Sequence, residues 1–380
     1  ATFSALTTMT GSNVTVNQGV TSSLPLLSTL DDSTLILNAN ASLALPDITT
    51  LSNTTVTIRD NATLSLPEFT QFAPTEINRT LRIDGTGSLD AAQLMNIDNL
   101  LIQLYTGGQL ALPLVTSYTW SLDTSPYIFN VNGEGSSLDL SALRTINLST
   151  SSSYTVRVYA QNNGVIDLSG LESVNATSGE YFYVYTDASS SIDFSSLTTI
   201  GASGRTTLDL RGGATTFAAL QTLNNAVINV YDGVSLQMPA LTSLSGNSTL
   251  TMNQGGTLSA PLLASLDTST ITLNAGASLT LPALSALSNT TVTIRDNATL
   301  SLPALTQYAP TEHNRTLRID GTGILDVPLL ANIDNLQLQL YTGAQLALPL
   351  VTSYTWSLVA SPYIFNVNGE GSSLDLSALR

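Results

Sequence analysis

The sequence predicts an all-β fold, a parallel β-solenoid of about sixteen coils, and three observations lead to that prediction. Residues 51–144 return as residues 287–380, which lie 236 residues later, and only 14 of the 94 aligned positions differ. Within this long repeat, a shorter line of 21 to 29 residues recurs. A proline stands at the same place in most of these lines. Such short internal repeats are typical of solenoids, in which each repeat packs only against its neighbours.

Each line contains short segments in which every second residue is apolar, which is the period of a β-strand. In the line that begins at Ala277, Leu279 and Leu281 alternate with Ser278 and Thr280. No helical stripe competes with this alternation. We therefore expect short strands that pair in parallel with the equivalent strands of the next coil, about 4.8 Å along the axis. Right-handed winding is expected, because crossover connections between parallel strands are overwhelmingly right-handed.

Ten of the fourteen prolines mark a corner, because proline cannot donate to a β-ladder and fixes φ. They are Pro25, Pro46, Pro67, Pro113, Pro239, Pro261, Pro282, Pro303, Pro328 and Pro349, and we expect all ten to lie in turns. Other corners end in Asn, Asp or Gly, for which a positive φ costs little. A leucine-rich-repeat horseshoe is the alternative fold, but the segments between the strands are too short and too rich in Ser and Thr for its helix.

The composition narrows the range of functions. Only 10% of the residues are charged, the net charge is −16, and all eleven basic residues are arginine. No basic patch could neutralise phosphates, so nucleic acid is not an expected partner. The chain contains no cysteine, no apolar stretch long enough to insert in a membrane and no signal-peptide pattern in residues 1–20. We expect one continuous solenoid over residues 1–380, cut in mid-solenoid at both ends and without separate caps.

Catalytic residues are not predicted. The single histidine, His313, corresponds to Ile77 in the first copy, so histidine-dependent catalysis has no paired site. Carboxylates recur between the copies, and we expect most of them to stabilise corners. The segment of residues 130–139, NVNGEGSSLD, departs from the repeat pattern that binds calcium. The sequence thus predicts no enzyme, no cofactor and no metal site, although a β-helix that binds or cleaves polysaccharide remains an alternative.

Outward residues at the end of one segment per coil should form a column along the solenoid. This column includes Arg59 beside Asp84 and, further along, Asn132 beside Tyr159. In the second copy it places Arg295 beside Asp320. Opposite charges on neighbouring strands attract weakly, and their clearer role is to specify the register. We therefore predict that these arginine and aspartate residues form a structural ladder.

An aromatic edge is the candidate binding surface. Its residues are Tyr118, Trp120, Tyr127, Arg157, Tyr159, Tyr181, Tyr183, Tyr185, Tyr354, Trp356 and Tyr363. Exposed aromatic rings beside arginine could hold a polysaccharide or pack against a neighbouring filament. The alternative is that Trp120 fills a widened core beneath the extra residues of the long coils.

The SLxLPxLxxL and TxTLN lines, together with the long repeat, resemble the β-solenoid regions of large secreted bacterial surface proteins, the filamentous-haemagglutinin-like and giant tandem-repeat adhesins. The resemblance covers the whole chain, is architectural, and assigns no binding residues. It implies an extracellular fibre or stalk at a bacterial cell surface, which is often adhesive. Because both ends are expected to lie in mid-solenoid, we also expect the protein either to continue through further 236-residue units or to stack end to end. An ice-binding solenoid is a further alternative, suggested by threonine pairs such as Thr291 and Thr293.

Overall fold

The computed structural model describes residues 5–151, 153–176, 179–201, 204–359 and 364–380. These residues form β-strands joined by turns, and no helix among them is long and apolar enough to cross a membrane. The chain divides into two compact units, Ala1–Leu197 and Thr198–Arg380. In each unit the strands pair in parallel with strands of the next coil. The predicted fold class, a parallel β-solenoid, is confirmed, with about 15 turns over the two units.

The strands belong to three series, which we call sheets 1, 2 and 3. Sheet 1 has eight described strands in each unit. In the first unit they are Asn13–Val16, Thr34–Leu37, Thr55–Ile58, Thr80–Asp84, Leu101–Tyr105, Tyr127–Asn132, Thr155–Gln161 and Tyr181–Thr186. In the second unit they are Thr206–Leu210, Ala226–Val230, Thr249–Met252, Thr270–Leu273, Thr291–Ile294, Thr316–Asp320, Gln337–Tyr341 and Phe365–Asn368.

Sheets 2 and 3 complete each coil. The sheet 2 strands are Thr21–Ser23, Ser42–Ala44, Thr63–Ser65, Ser88–Asp90, Gln109–Ala111, Ser137–Asp139, Val165–Asp167, Ser191–Asp193, Gly213–Thr216, Val234–Gln237, Thr257–Ser259, Ser278–Thr280, Thr299–Ser301, Ile324–Asp326, Gln345–Ala347 and Ser373–Asp375. The sheet 3 strands are Thr8–Thr10, Thr29–Asp31, Thr50–Ser52, Gln71–Phe72, Ser117–Trp120, Thr145–Leu148, Ser173–Ala176, Thr199–Ile200, Thr222–Asn224, Ser243–Ser245, Ser265–Asp267, Ala286–Ser288 and Gln307–Tyr308.

The core consists of columns of aliphatic side chains. Residues one coil apart stand directly opposite each other, as Leu273, Ile294 and Ile319 do in sheet 1. All three side chains are fully buried. Burial of one such side chain contributes about 1.5–3 kcal/mol, so every coil adds a similar increment of stability.

The ten prolines predicted to mark corners all lie in turns that follow a strand of sheet 2, which confirms that prediction. A hydrogen bond closes each of these turns, for example from the Leu305 N–H to the Leu302 carbonyl oxygen (3.1 Å) around Pro303. Proline at the second turn position supplies the φ that this turn needs and has no N–H that would require a partner.

The corner between sheets 1 and 2 requires left-handed backbone. Asn40, Asn61 and Asn297 occupy it with φ between 55° and 59°, and Gly276 occupies it with φ of 73°. Asparagine and glycine adopt this conformation at little cost, which explains why the sequence lines end in these residues.

The corner between sheets 3 and 1 turns around a buried hydroxyl. The Thr54 and Thr290 side chains are fully buried, and each donates from Oγ1 to a nearby carbonyl oxygen at 2.9 Å, that of Ser52 or Ser288. A buried hydroxyl without such a bond would destabilise the fold. The extra residues of the long coils, such as 73–79, are inserted at this corner.

One asparagine holds the inserted loop of residues 73–79. Asn53, with φ of 44°, accepts hydrogen bonds at Oδ1 from the N–H groups of Thr75 (2.9 Å) and Glu76 (3.0 Å). Asn289 accepts the equivalent bonds from Thr311 and Glu312, both at 2.9 Å. The loop is therefore built in the same way in both copies.

Replacement of Asn53 by Ala should loosen the first loop only. Two N–H groups lose their acceptor, at about 0.5–1.5 kcal/mol for each bond, and alanine tolerates the positive φ poorly. We expect faster amide hydrogen exchange at Thr75 and Glu76, while Thr311 and Glu312 remain protected in the same molecule. The Asn53→Gly variant relieves the strain but still lacks the acceptor, so unchanged exchange in both variants would contradict this role.

Candidate functional site

The outer face of sheet 1 in the first unit carries an aromatic cluster that we call the tyrosine patch. Its members are Tyr127, Arg157, Tyr159, Tyr181, Tyr183 and Tyr185, on three successive strands. Parallel pairing places Tyr185 beside Tyr159, and Tyr183 beside Arg157. These side chains point away from the core, because the residues that alternate with them, such as Val158 and Val184, are buried.

Tyr159 is the centre of the patch. Its ring stacks on that of Tyr185 with centroids 4.9 Å apart and planes 19° from parallel, and on that of Tyr183 at 5.7 Å and 22°. The Tyr127 ring meets it edge-on at 4.9 Å. Both geometries are favourable for aromatic pairs. Because stacked rings cover each other's faces, Tyr159 and Tyr185 offer edges and hydroxyl groups to a ligand more than flat surfaces.

Arg157 connects the patch to the loop of residues 121–126. Its guanidinium carbon lies 5.3 Å from the centre of the Tyr127 ring, within the range of a cation–π interaction. Nη1 also donates to the carbonyl oxygens of Ser125 (2.8 Å) and Thr155 (3.1 Å). The most exposed rings of the patch are those of Tyr127 (43%) and Tyr181 (38%). A ligand that needs an open ring would meet these two first.

The prediction that Tyr118 and Trp120 belong to an exposed edge is wrong. Both side chains are fully buried, because the strand directs them inward, where they stand opposite Ile146 and Leu148 of the next coil. Tyr118 donates its hydroxyl to the Leu100 carbonyl oxygen (3.2 Å), and burial raises its pKa well above the usual range. The two rings fill the core of a long coil, which is the alternative considered for Trp120.

The corresponding residues of the second copy are only partly exposed. The Tyr354 hydroxyl donates to the Leu336 carbonyl oxygen (3.2 Å), and burial raises the pKa of Tyr354 to about 12. The Trp356 indole Nε1–H donates to the Leu358 carbonyl oxygen (2.8 Å). Tyr363, the counterpart of Tyr127, lies outside the described residues. Tyr354 and Trp356 thus use their polar atoms within the protein.

The predicted ladder has the expected register but different contacts. Ile58 stands opposite Ile83 on the next strand, and Arg59 and Asp84 directly follow these two residues. Asp84 instead pairs with Arg82 on its own strand, with 2.8 Å between Nε and Oδ1, while Arg59 donates from Nη1 to Asn38 Oδ1 at 2.7 Å. Among the described residues, no ion pair joins Arg59 to Asp84. Residues i and i+2 of a strand share one face, which brings Arg82 within direct reach.

The second copy repeats this correction. Arg318 pairs with Asp320 at 2.8 Å, and no ion pair within the described ranges joins Arg295 to Asp320. The ion pairs predicted between neighbouring coils, Arg59–Asp84 and Arg295–Asp320, are therefore replaced by ion pairs within single strands.

These ion pairs belong to a larger contact group, which we call the outer network. In the first copy, the Arg82 guanidinium carbon lies 4.6 Å from the centre of the Tyr105 ring, and Asn130 donates from Nδ2 to the Tyr105 hydroxyl oxygen at 3.2 Å. The network thus consists of Arg82, Asp84, Tyr105 and Asn130, and its second copy of Arg318, Asp320, Tyr341 and Asn366. Arg82 and Asn130 were not predicted as site residues. The alternation of inward and outward residues within their strands could have identified both as outward-facing.

Tyr159 does not continue the column of Asn132. Asn132 stands opposite Gln161, and Tyr159 stands opposite Asn130. The predicted position is wrong by two residues because Ala160, which is fully buried, is the last inward residue of this strand. A small apolar residue gives a weak inward signal in the sequence.

Carboxylates near the corners accept backbone hydrogen bonds. Asp98 Oδ1 accepts from the Thr119 N–H at 2.6 Å, and Asp139 Oδ1 accepts from the Ser141 N–H at 2.9 Å. Burial raises the pKa of Asp98, and the hydrogen bond from Thr119 opposes that rise. In the part of the chain that the structure describes, no cluster of three or more His, Asp or Glu residues is arranged to hold a metal ion.

The second unit also carries two rows of outward threonines on sheet 1. The rows are Thr249, Thr270 and Thr291, and Thr251, Thr272 and Thr293. Arg318 stands opposite Thr293 on the next strand and interrupts the second row. The regular part of this array therefore extends over three coils.

Removal of the central ring should destabilise the tyrosine patch. We expect Tyr159→Ala to lower the free energy of unfolding by about 0.5–1.5 kcal/mol for each ring contact that is lost, in addition to the lost burial. Tyr159→Phe keeps these contacts and should be close to the wild type, as should Tyr181→Ala. Chemical denaturation followed by tyrosine fluorescence measures the difference, and equal effects of Tyr159→Ala and Tyr181→Ala would contradict it.

A double-mutant cycle should separate the observed ion pair from the predicted one. Coupling between Arg82→Ala and Asp84→Ala should be about 0.2–1 kcal/mol, as for other exposed pairs. Coupling between Arg59→Ala and Asp84→Ala should be close to zero. The free energies of unfolding of the single and double variants give both coupling energies. A larger coupling energy for the Arg59 cycle would support the predicted Arg59–Asp84 pair over the observed Arg82–Asp84 pair.

The chain shows no significant similarity to any protein-family model, curated protein or solved structure with which it was compared. The tyrosine patch and the duplicated outer network are the surface features of this chain that point to a function.

Proposed function

We propose that this chain is a structural module without enzymatic activity, a segment of an extracellular fibre or stalk of the filamentous-haemagglutinin-like or tandem-repeat adhesin type at a bacterial surface. The proposal combines a fold that can be lengthened coil by coil with a surface poor in charge and rich in Ser, Thr and Asn. Parallel solenoids suit this role because each coil needs only its neighbours.

The observation that carries the proposal is the duplication of the outer network. The arginine–aspartate distance is 2.8 Å in both copies, and the arginine–ring distance is 4.6 Å in one and 4.8 Å in the other. The asparagine–tyrosine hydrogen bond measures 3.2 Å and 3.0 Å. A catalytic centre gains little from such repetition, whereas a fibre needs the same contacts at regular intervals.

The self-association that we propose follows from the pairing between coils. Strands one coil apart pair in parallel, as Thr270–Leu273 and Thr291–Ile294 do. Because each coil needs only its neighbours, copies of the repeat could extend the stack through the same kind of pairing.

The carboxylates support a non-enzymatic role because their contacts serve the backbone. Asp167 and Asp193 accept the N–H groups of Ser169 and Ser195, both at 2.8 Å, as Asp139 does with Ser141. These bonds stabilise the turn that follows each strand. A glycosidase needs two carboxyl groups that face one another across a substrate cleft, with one of them free to donate a proton.

Polysaccharide binding is the second candidate function, and the open rings of Tyr127 and Tyr181 favour it. Arg157 beside them could donate hydrogen bonds to sugar hydroxyls. The stacking of Tyr159 on its neighbours weighs against this candidate, since a sugar ring packs on a free aromatic face. Ice binding is a further alternative, supported by the two threonine rows and limited by Arg318.

Two measurements test the fibre proposal on the purified full chain. Electron microscopy should show filaments about one solenoid wide, with an axial repeat of about 48 Å from ten coils at the β-sheet spacing. The chain should release no products from a panel of polysaccharides, and the Asp84→Asn/Asp320→Asn variant should behave identically in that assay. Specific polysaccharide turnover, or compact particles that never associate, would overturn the proposal, and inhibition of ice recrystallisation would favour the ice-binding alternative.

A further inference from the structure

The proline corners of the second unit present an exposed apolar edge. Each corner is a four-residue turn, and the third residue of the turn, which we call the tip residue, projects from it. The hydrogen bonds that close two of these turns join Leu263 N–H to the Ala260 carbonyl oxygen (3.1 Å) and Leu330 N–H to the Val327 carbonyl oxygen (3.1 Å). In five successive coils the tip residues are Leu262, Ala283, Ala304, Leu329 and Leu350.

The leucines at these tips are among the most exposed large apolar residues described. Leu262 is 54% exposed, Leu329 is 49% exposed and Leu350 is 46% exposed. A proline precedes each of the five tip residues, so every corner contributes two apolar residues. Five corners at the β-sheet spacing extend over about 19 Å. A continuous apolar edge of this kind marks a surface that another molecule covers.

The first copy provides a comparison within the same chain. Its five tip residues, 236 positions earlier, are Leu26, Asp47, Glu68, Gln93 and Leu114. Three of the five therefore change from polar to apolar in the second copy, and two of these changes remove a carboxylate. Asp47 and Glu68 are exposed, so the protein fold itself does not require an apolar residue at these tips.

We infer that the apolar edge of the second unit binds the same edge of a second copy of this chain, side by side and antiparallel. The order of residues along the edge fits a twofold axis at Ala304. Leu262 then faces Leu350 of the partner copy, and Leu329 faces Ala283 of the partner copy. The large Leu329 side chain thus meets a small one, and the leucines at the two ends of the edge meet each other. The same edge therefore contacts itself around the twofold axis.

Charge selects this edge over the equivalent edge of the first unit. Two copies that each carry a net charge of −16 repel one another. They can approach closely only where carboxylates are absent from the contact. The tips of the second edge carry no carboxylate, whereas the equivalent axis in the first edge would place Glu68 against Glu68 of the partner copy, with Asp47 one coil away. Like charges brought together in this way strongly oppose association.

Sedimentation of the full chain over a range of concentrations tests the inference. The Ala283→Asp/Ala304→Glu/Leu329→Gln variant gives the second edge the residues of the first, which the fold already accommodates. We expect a dimer in the wild type and a dissociation constant raised at least about tenfold in the variant. Asp47→Ala/Glu68→Ala serves as the matched control and should retain the dimer. A wild type that stays monomeric, or an unchanged constant in the triple variant, would overturn the inference.

Single cysteines give an independent measurement, since the natural chain has none. Ala304→Cys places a thiol beside the proposed twofold axis and should form a disulfide-linked dimer under mild oxidation, whereas Glu68→Cys should not. Equal cross-linking of the two variants would contradict the twofold geometry. The inference extends the proposed fibre role but is tested separately. If the triple variant forms filaments but no dimer of this kind, the fibre proposal is retained independently of the lateral contact. If the wild type forms dimers but no filaments, the lateral contact is supported and the fibre proposal is not.

Discussion

The stacking of equivalent residues in successive coils is the constraint on which the rest of this structure depends. Parallel pairing holds each residue opposite its counterpart one coil away, so every position in the coil becomes a column along the solenoid. Inward columns must be apolar to fill the core, and corner columns must tolerate the φ of a turn. Outward columns are free of both conditions, and any function of the chain has to lie there.

Outward columns explain why the aromatic contacts on the surface form ladders between coils. Tyr159 stacks on Tyr185 at 4.9 Å because their backbones are held one coil apart, close to the strand spacing of about 4.8 Å. The same spacing brings the Arg82 guanidinium over the Tyr105 ring. Such ladders strengthen the register between coils. They also cover ring faces, so an aromatic-rich surface on this fold is less available to a planar ligand than its composition indicates.

Most of the fold could be predicted from the sequence, because alternation, proline spacing and positive-φ residues are local signals that every coil repeats. The proline corners and the inward columns were predicted in this way. The side-chain contacts were less predictable. Asp84 had two arginines within reach, Arg59 and Arg82, and only the geometry decided between them. Ala160 is too small to mark an inward position clearly, and Tyr118 and Trp120 are inward although aromatic residues suggested an exposed edge.

Some residues that differ between the two copies lie in the core and others lie at the exposed proline corners, and the two kinds of change have different consequences. Phe69 and Phe72, whose rings lie 5.9 Å apart in the first core, are replaced by Leu305 and Tyr308 in the second. The volume lost at Leu305 accompanies a hydroxyl gained at Tyr308, which donates to the Thr290 carbonyl oxygen at 2.7 Å and so stays satisfied although buried. The core change is thus compensated inside its own coil.

The neighbouring change from Glu68 to Ala304 has no such compensation. Its side chain projects from the corner and takes no part in the core, so neither the packing nor the turn accounts for the loss of the charge. Together with Ala283 and Leu329, it converts a polar edge into an apolar one without altering the corners beneath. A change that the fold neither needs nor resists agrees with the lateral contact inferred above, because tips without carboxylates let two acidic copies approach each other.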